Sequence, residues 1–259
     1  MSVHLGLKRA ALVAGLVGML AAWPRASVAA EDRPFPLPPK EWPETINDNP
    51  IIPFVLVDRL EYQWNDEGAD TRLWDAQGWI GGDWNKFWFK TEGEQAVGGE
   101  TEEAQFEALY ARLIAPFWYL QAGIRYDSKP KPVRRFAALG IQGLALYWFE
   151  VDATAYVSDE GDVSANLEAE YDLLLTQRLI LQPRFETNVS GDEVEEAGIG
   201  RGFNDVTLGL RLRYEIKREF APYVGVSWTR KLGDTADLAE AEGEETKRTA
   251  IVAGVRAWF

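Results

Sequence analysis

The sequence predicts an all-β fold: a transmembrane antiparallel up-and-down β-barrel of about 12 strands behind a Pro-rich N-terminal leader. Three observations predict it. From Ile51 onward the dominant hydrophobic period is two. The alternating segments run about 10–13 residues, the length of a tilted membrane-spanning strand, where soluble strands usually have about five or six. The connections between them alternate between long and tight.

The first thirty residues form an address. Lys8 and Arg9 give a positive start, an apolar run follows from Ala10 to Trp23, and Pro24 breaks it. The run is shorter than the roughly 18–20 residues that a spanning helix needs. Ser27-Val28-Ala29-Ala30 offers small residues to a signal peptidase, with cleavage after Ala29 or Ala30. Three organisational units are therefore expected: a signal peptide over 1–30, a Pro-rich periplasmic leader over 31–50 and an outer-membrane barrel over 51–259. The leader holds six prolines between Glu31 and Pro50, so it cannot be a helix.

Alternation places the strands near 52–64, 72–82, 86–95, 103–114, 117–127, 135–143, 147–158, 163–174, 178–190, 203–216, 219–230 and 248–259. In one of them Val206, Leu208, Leu210, Leu212 and Tyr214 share a face, against Thr207, Gly209, Arg211, Arg213 and Glu215. Long Gly-, Asp- and Glu-rich loops fall near Asn65–Thr71, Ala96–Glu102, Asp127–Arg134, Asp159–Asp162, Ser190–Gly202 and Lys231–Lys247. Tight joints lie between them, so both ends of the barrel chain fall on the tight-turn side. A secreted β-sandwich also alternates, with apolar inner faces. Strand length and loop asymmetry argue against it. Trp74, Trp79, Trp88, Trp118, Trp148, Trp228 and Trp258 near strand ends suit the headgroup level of a membrane. The last strand ends in Phe259, which resembles the C-terminal assembly signal of bacterial outer-membrane proteins.

Composition narrows the chemistry. The chain has 27 basic and 41 acidic residues, a formal charge of −14, which repels nucleic acid. Removing the signal with Lys8, Arg9 and Arg25 leaves 24 basic against 41 acidic residues, a net −17. There is no Cys, and no His or Met after Met19. Triad, Cys-His and His-dependent protease chemistry is thereby removed, and the expectation is no enzyme. Gly198-Ile199-Gly200-Arg201-Gly202 resembles part of a phosphate loop but sits in a barrel loop, where it reads as a flexible turn.

The lumen-facing positions carry charges of both signs. Glu92, Glu94, Arg125, Asp127, Glu150, Asp152, Arg184, Glu186, Arg211 and Arg213 form the expected network, with Arg59, Glu61, Lys90, Glu215 and Arg256 beside them. Two readings stay open: a paired ionic core that holds the barrel rigid, or a cation path lined by hard oxygen ligands. Glu168, Glu170 and Asp172 on one strand face are the candidate metal ligands. The acidic loop from Asp234 to Glu245 reads as solvated.

Several motifs carry a resemblance: Asp58-Arg59-Leu60-Glu61-Tyr62, Gln77-Gly78-Trp79-Ile80-Gly81-Gly82-Asp83, Lys90-Thr91-Glu92-Gly93-Glu94, Gln121-Ala122-Gly123-Ile124-Arg125-Tyr126-Asp127, Glu168-Ala169-Glu170-Tyr171-Asp172 and Phe220-Ala221-Pro222-Tyr223-Val224-Gly225-Val226. From about Asn47 to Phe259 the chain resembles the copper resistance protein B family. The resemblance implies copper as the ligand or cargo, a place in the outer membrane in contact with its lipid, and a periplasmic copper oxidase or copper carrier as partner. A monomer is expected. Many relatives carry a Met- and His-rich segment before the barrel; here that stretch is the Pro-rich leader. Two roles follow: binding or export of copper, or a non-conducting barrel that docks a periplasmic copper protein.

Overall fold

Segments that alternate apolar and polar residues leave one apolar face each. Antiparallel neighbours then satisfy one another's main-chain groups, and only closure into a ring removes the last edges. The computed structural model describes residues Pro50–Phe259. The expected signal peptide, and the leader up to Asn49, lie outside the described residues. The strands are β1 (Ile52–Asn65), β2 (Thr71–Gly81), β3 (Asn85–Ala96), β4 (Thr101–Ala115), β5 (Trp118–Lys129), β6 (Arg134–Leu144), β7 (Glu150–Ser158), β8 (Val163–Glu170), β9 (Leu173–Leu174), β10 (Leu179–Ser190), β11 (Gly202–Tyr214), β12 (Phe220–Lys231) and β13 (Lys247–Trp258). Each pairs antiparallel with its neighbours, and β13 closes onto β1.

β8 and β9 are one strand, interrupted at Tyr171–Asp172, and both pair with β10. The interruption has a cause in the sequence. Tyr171 N–H donates to the Pro183 carbonyl at 3.2 Å, but Pro183 has no N–H to return. Counted this way, the ring has the twelve strands that alternation predicts.

The faces are inverted relative to a soluble protein. Leu60, Ile124, Val224 and Ile251 point outward and are exposed, while Arg59, Glu61, Arg184, Arg211 and Arg213 are buried inside. A sandwich would bury the apolar faces instead, so that alternative is removed. No helix among the described residues is long and apolar enough to cross a membrane. A β-bulge in β1 opposite β13 breaks the alternation once. It lets the consecutive residues Asp58 and Arg59 both be buried.

Two segments differ from the sequence expectation. The strand expected over 147–158 begins at Glu150, because Leu146–Trp148 forms a 3-10 turn with Tyr147 and Trp148 in the left-handed region. Ala145 N–H donates to the Phe149 carbonyl at 2.7 Å and ends the hairpin there. The Lys231–Lys247 loop contains a helix, α1 (Gly233–Glu242), rather than solvated coil alone. Its Ala, Leu and Glu content favours helix, and Gly243 closes it in the left-handed conformation. Thr235 fixes α1 to the neighbouring loop: its hydroxyl accepts from Gly200 N–H (2.9 Å) and from Asn204 Nδ2 (3.0 Å). A Cβ at residue 200 would lie 2.2 Å from Thr235 N, so only glycine permits this approach. The Gly198–Gly202 segment is thus an ordered seat for α1, not merely a flexible turn.

Candidate functional site

The inward faces build a lumen with two unlike sectors. On the β2–β7 side, Trp88, Leu109, Ala111, Phe136, Ala138 and Tyr156 form a buried cluster, with Trp79 and Tyr119 packed against it. Amide side chains stitch this sector together. Trp88 Nε1 and Gln142 Nε2 both donate to Gln77 Oε1 (3.1 and 3.2 Å), and Gln121 Nε2 donates to Gln142 Oε1 (2.8 Å). Lys86 Nζ lies 3.7 Å from the Trp79 ring centre and 4.4 Å from that of Tyr119. The π faces of these rings attract the ammonium.

Across the lumen the contacts are ionic. Arg184 is 5% exposed. Its guanidinium lies 2.5 Å from Glu170, 2.6 Å from Glu168, 3.4 Å from Asp58, 3.5 Å from Asp75 and 3.6 Å from Glu186. Arg59 bridges Asp75 (3.0 Å) and Glu92 (2.6 Å). Arg211 grips Glu61 through two bonds of 3.0 Å, and Tyr223 and Gln63 donate to the same carboxylate at 3.0 and 2.7 Å. Planar guanidinium forks suit such bidentate contacts, which lysine could not reproduce.

The other network residues named from the sequence also face inward. Glu94 makes two bonds to Arg248 (2.6 and 3.0 Å), and Arg125 makes two to Asp127 (2.7 and 3.0 Å). Asp152 pairs with Lys90. Arg213 reaches Asp172 at 2.6 Å. Glu150 stands directly opposite Glu170 and makes no ion pair among the described residues. Glu103, Glu107 and Asp205 share that property. Glu107 is buried and, among the described residues, accepts only from the Tyr156 hydroxyl, at 2.7 Å.

The three candidate metal ligands are taken up by arginines, and Asp172 also lies 3.9 Å from Arg256. Glu168 and Glu170 bind Arg184, and Asp172 binds Arg213. Among the described residues no group of three or more His, Cys, Asp or Glu is placed to hold a metal ion. Cu(I) prefers thiolate, thioether or imidazole, and the chain offers none after Met19. The residues present therefore do not fit a resident copper centre.

Sequence reasoning missed Asp58, Asp75, Lys86, Glu107 and Arg248. Asp75 and Arg248 were findable, since each lies at inward parity on its strand. Asp58 was not, because only the bulge turns it inward. At the tight-turn end, a cavity of about 280 Å³ is lined by Asp172, Arg213, Glu215, Arg218, Arg256 and Trp258. At the loop end, Asp66 accepts from Thr249 N–H at 2.7 Å. Main-chain bonding with Thr249 holds the Asp66 carboxyl below its usual range.

A closed ring that is apolar outside and charged inside defines the class: an outer-membrane-type β-barrel. The solved structure of the NanC porin matches it with a TM-score of 0.54, covering 77% of this chain and 98% of that one. At 10% identity this is a likeness of fold alone. The chain belongs to the copper resistance protein B family: the family model described as "Copper resistance protein B precursor (CopB)" matches residues 51–259. Copper resistance protein B of Escherichia coli is 48% identical over 214 residues, which are 83% of this chain and 72% of that protein. The homolog from Pseudomonas syringae pv. tomato is 44% identical over the same shares.

Proposed function

We propose that this chain serves copper tolerance in the outer membrane, as a barrel that passes weakly held copper as cargo rather than storing it. One observation carries the reading. Glu103 and Glu107 of β4, Glu150 of β7 and Asp205 of β11 lack ion-pair partners among the described residues. They sit at loop-end, middle and turn-end heights of the lumen. Inward carboxylates without cationic partners raise the local concentration of cations and offer hard oxygen ligands that release as readily as they bind. The absence of soft ligands suits transit better than retention.

A second reading has its own support. The Arg184 hub binds carboxylates from β1, β2, β8 and β10 at once and so occupies the middle of the lumen. That favours a non-conducting barrel whose turn end docks a periplasmic copper oxidase or carrier.

The test compares strains lacking the protein and complemented either by the native chain or by a Glu103→Gln, Glu107→Gln, Glu150→Gln variant. The native chain is expected in the outer-membrane fraction, restoring growth on copper and lowering periplasmic copper. The triple variant should fractionate equally and restore tolerance poorly. In planar bilayers, the native barrel should conduct cations and the variant less so. Full tolerance from the variant, with no conductance from either protein, would replace this reading with docking.

A further inference from the structure

At the turn end most neighbouring strands stay paired to their last residues. Trp118 of β5 faces Gly143 of β6, Leu179 of β10 faces Tyr214 of β11, and Phe220 of β12 faces Ala257 of β13. The seam between β7 and β8–β9 is different. Pairing there stops at Glu150 opposite Glu170. Beyond it the β6–β7 hairpin has already turned, while the next strand runs on through Leu175. Tyr171 and Leu175 donate to Pro183 and Leu179 on the β10 side, at 3.2 and 2.9 Å. Main-chain groups alternate sides along a strand, so those of Asp172 and Leu174 face the side that β7 has vacated. Among the described residues no main-chain bond meets them there. The other uncovered stretch at this end, Ile52–Phe54 of β1, contains Pro53, which blunts it as a template.

We infer that Asp172 and Leu174 form a docking edge for an extended peptide segment of a partner protein on the turn side. Two N–H and C=O pairs, one strand repeat apart, are matched by another extended main chain, whereas hydrocarbon supplies no partner. The flanking side chains define the segment. Leu146, Trp148, Leu173 and Leu175 are exposed around the edge, Leu146 by 84% and Trp148 by 69%. On the lumen side stands Glu150, opposite the like-charged Glu170 and without an ion-pair partner among the described residues. The complementary segment therefore alternates apolar residues, laid outward against the leucines and Trp148, with Lys or Arg directed at Glu150. This goes beyond the copper reading and requires no copper.

The experiment uses the full chain folded in copper-free micelles, with an acetylated, amidated heptapeptide of alternating Lys and Val as the probe. Site-resolved amide exchange should show Asp172 and Leu174 exchanging freely without peptide, and slowed about tenfold or more with it. Leu174→Pro deletes the edge N–H yet leaves the Tyr171 and Leu175 bonds to β10. It should lower peptide affinity about tenfold or more while unheated electrophoretic mobility still reports a folded barrel. Glu150→Gln should weaken binding several-fold, and a Glu/Val peptide should not bind. Exchange unchanged by the Lys/Val peptide, or equal binding to the Leu174→Pro variant, overturns the inference. So does concentration-dependent protection of both amides without peptide, which would assign the edge to a second copy of this chain. Because no copper is present, these outcomes are independent of the tolerance and conductance assays.

Discussion

Between β2 and β7 the lumen buries a core of rings and aliphatic side chains, with ion pairs such as Lys90–Asp152 and Arg125–Asp127 beside it; from β8 round to β1 guanidiniums and carboxylates dominate. The two sectors share one sheet and one strand geometry, yet they hold the barrel by different physics. The aromatic sector gains from contact area and shape, which depend little on charge and fall off when a cavity opens. The ionic sector gains only while every charge keeps its partner, since an unpaired buried charge costs several kcal/mol. It follows that the aromatic sector is a fixed wall. The ionic sector is the part whose hold depends on each charge keeping its partner.

Breaking the hub should have the largest effect. Arg184→Met leaves Glu168 and Glu170 without their shared guanidinium, and unfolding from lipid should lose about 3–5 kcal/mol. Adding Glu170→Gln removes one orphaned charge and should return part of that loss, about 1–3 kcal/mol as a coupling term. If the double variant is simply the sum of its parts, the sector is not a network. In the aromatic sector, Leu109 is 1% exposed. Leu109→Ala should cost about 3 kcal/mol through lost contact and residual cavity. Its cost should not change between about pH 5 and 8, where burial of hydrocarbon is indifferent to protons. A clear pH dependence would mean the two sectors are not separable.

The smallest effect is expected at the loop end, where a similar carboxylate bond stands in water. Thr249 holds the Asp66 pKa below 3.8. A depressed pKa means the bond's contribution is complete above the unfolded value and lost as pH falls through the folded one. The Thr249 amide resonance should therefore titrate with a midpoint below 3.8. In Asp66→Asn that step should vanish while the barrel remains folded. A midpoint at or above the ordinary value would contradict the Asp66–Thr249 contact.

Much of this architecture is legible in the chain itself. Val206 to Glu215 already separates an apolar face from a polar one, and the same separation recurs in each strand. Parity also places Arg184, Arg211 and Glu170 inside, where they are found. It cannot place Asp58, because the bulge that turns it inward is an irregularity of pairing with both β2 and β13, and the alternating pattern carries no mark of it. It cannot shorten β7 either. Tyr147 and Phe149 continue the alternating pattern, and the left-handed turn that removes them from the strand reflects how the β6–β7 hairpin closes. The helix in the Lys231–Lys247 loop is hidden by its charge. Its polarity reads as solvated coil, and its seat is the distant Gly200 and Asn204.

Strand number, the direction of each face and the end that carries the long loops are all written in the linear chain. Period-two alternation and turn residues act between near neighbours, so they can be read locally. Which charge meets which is settled only in three dimensions. Arg184 finds Asp58 across 126 positions because ring closure brings β1 and β10 to face the same lumen. The same closure, ending unevenly at β7, left Asp172 and Leu174 with main-chain groups that no neighbour in the ring satisfies. Pairing of this kind depends on register and shear around the whole ring, and those are properties of the assembled sheet rather than of any segment within it.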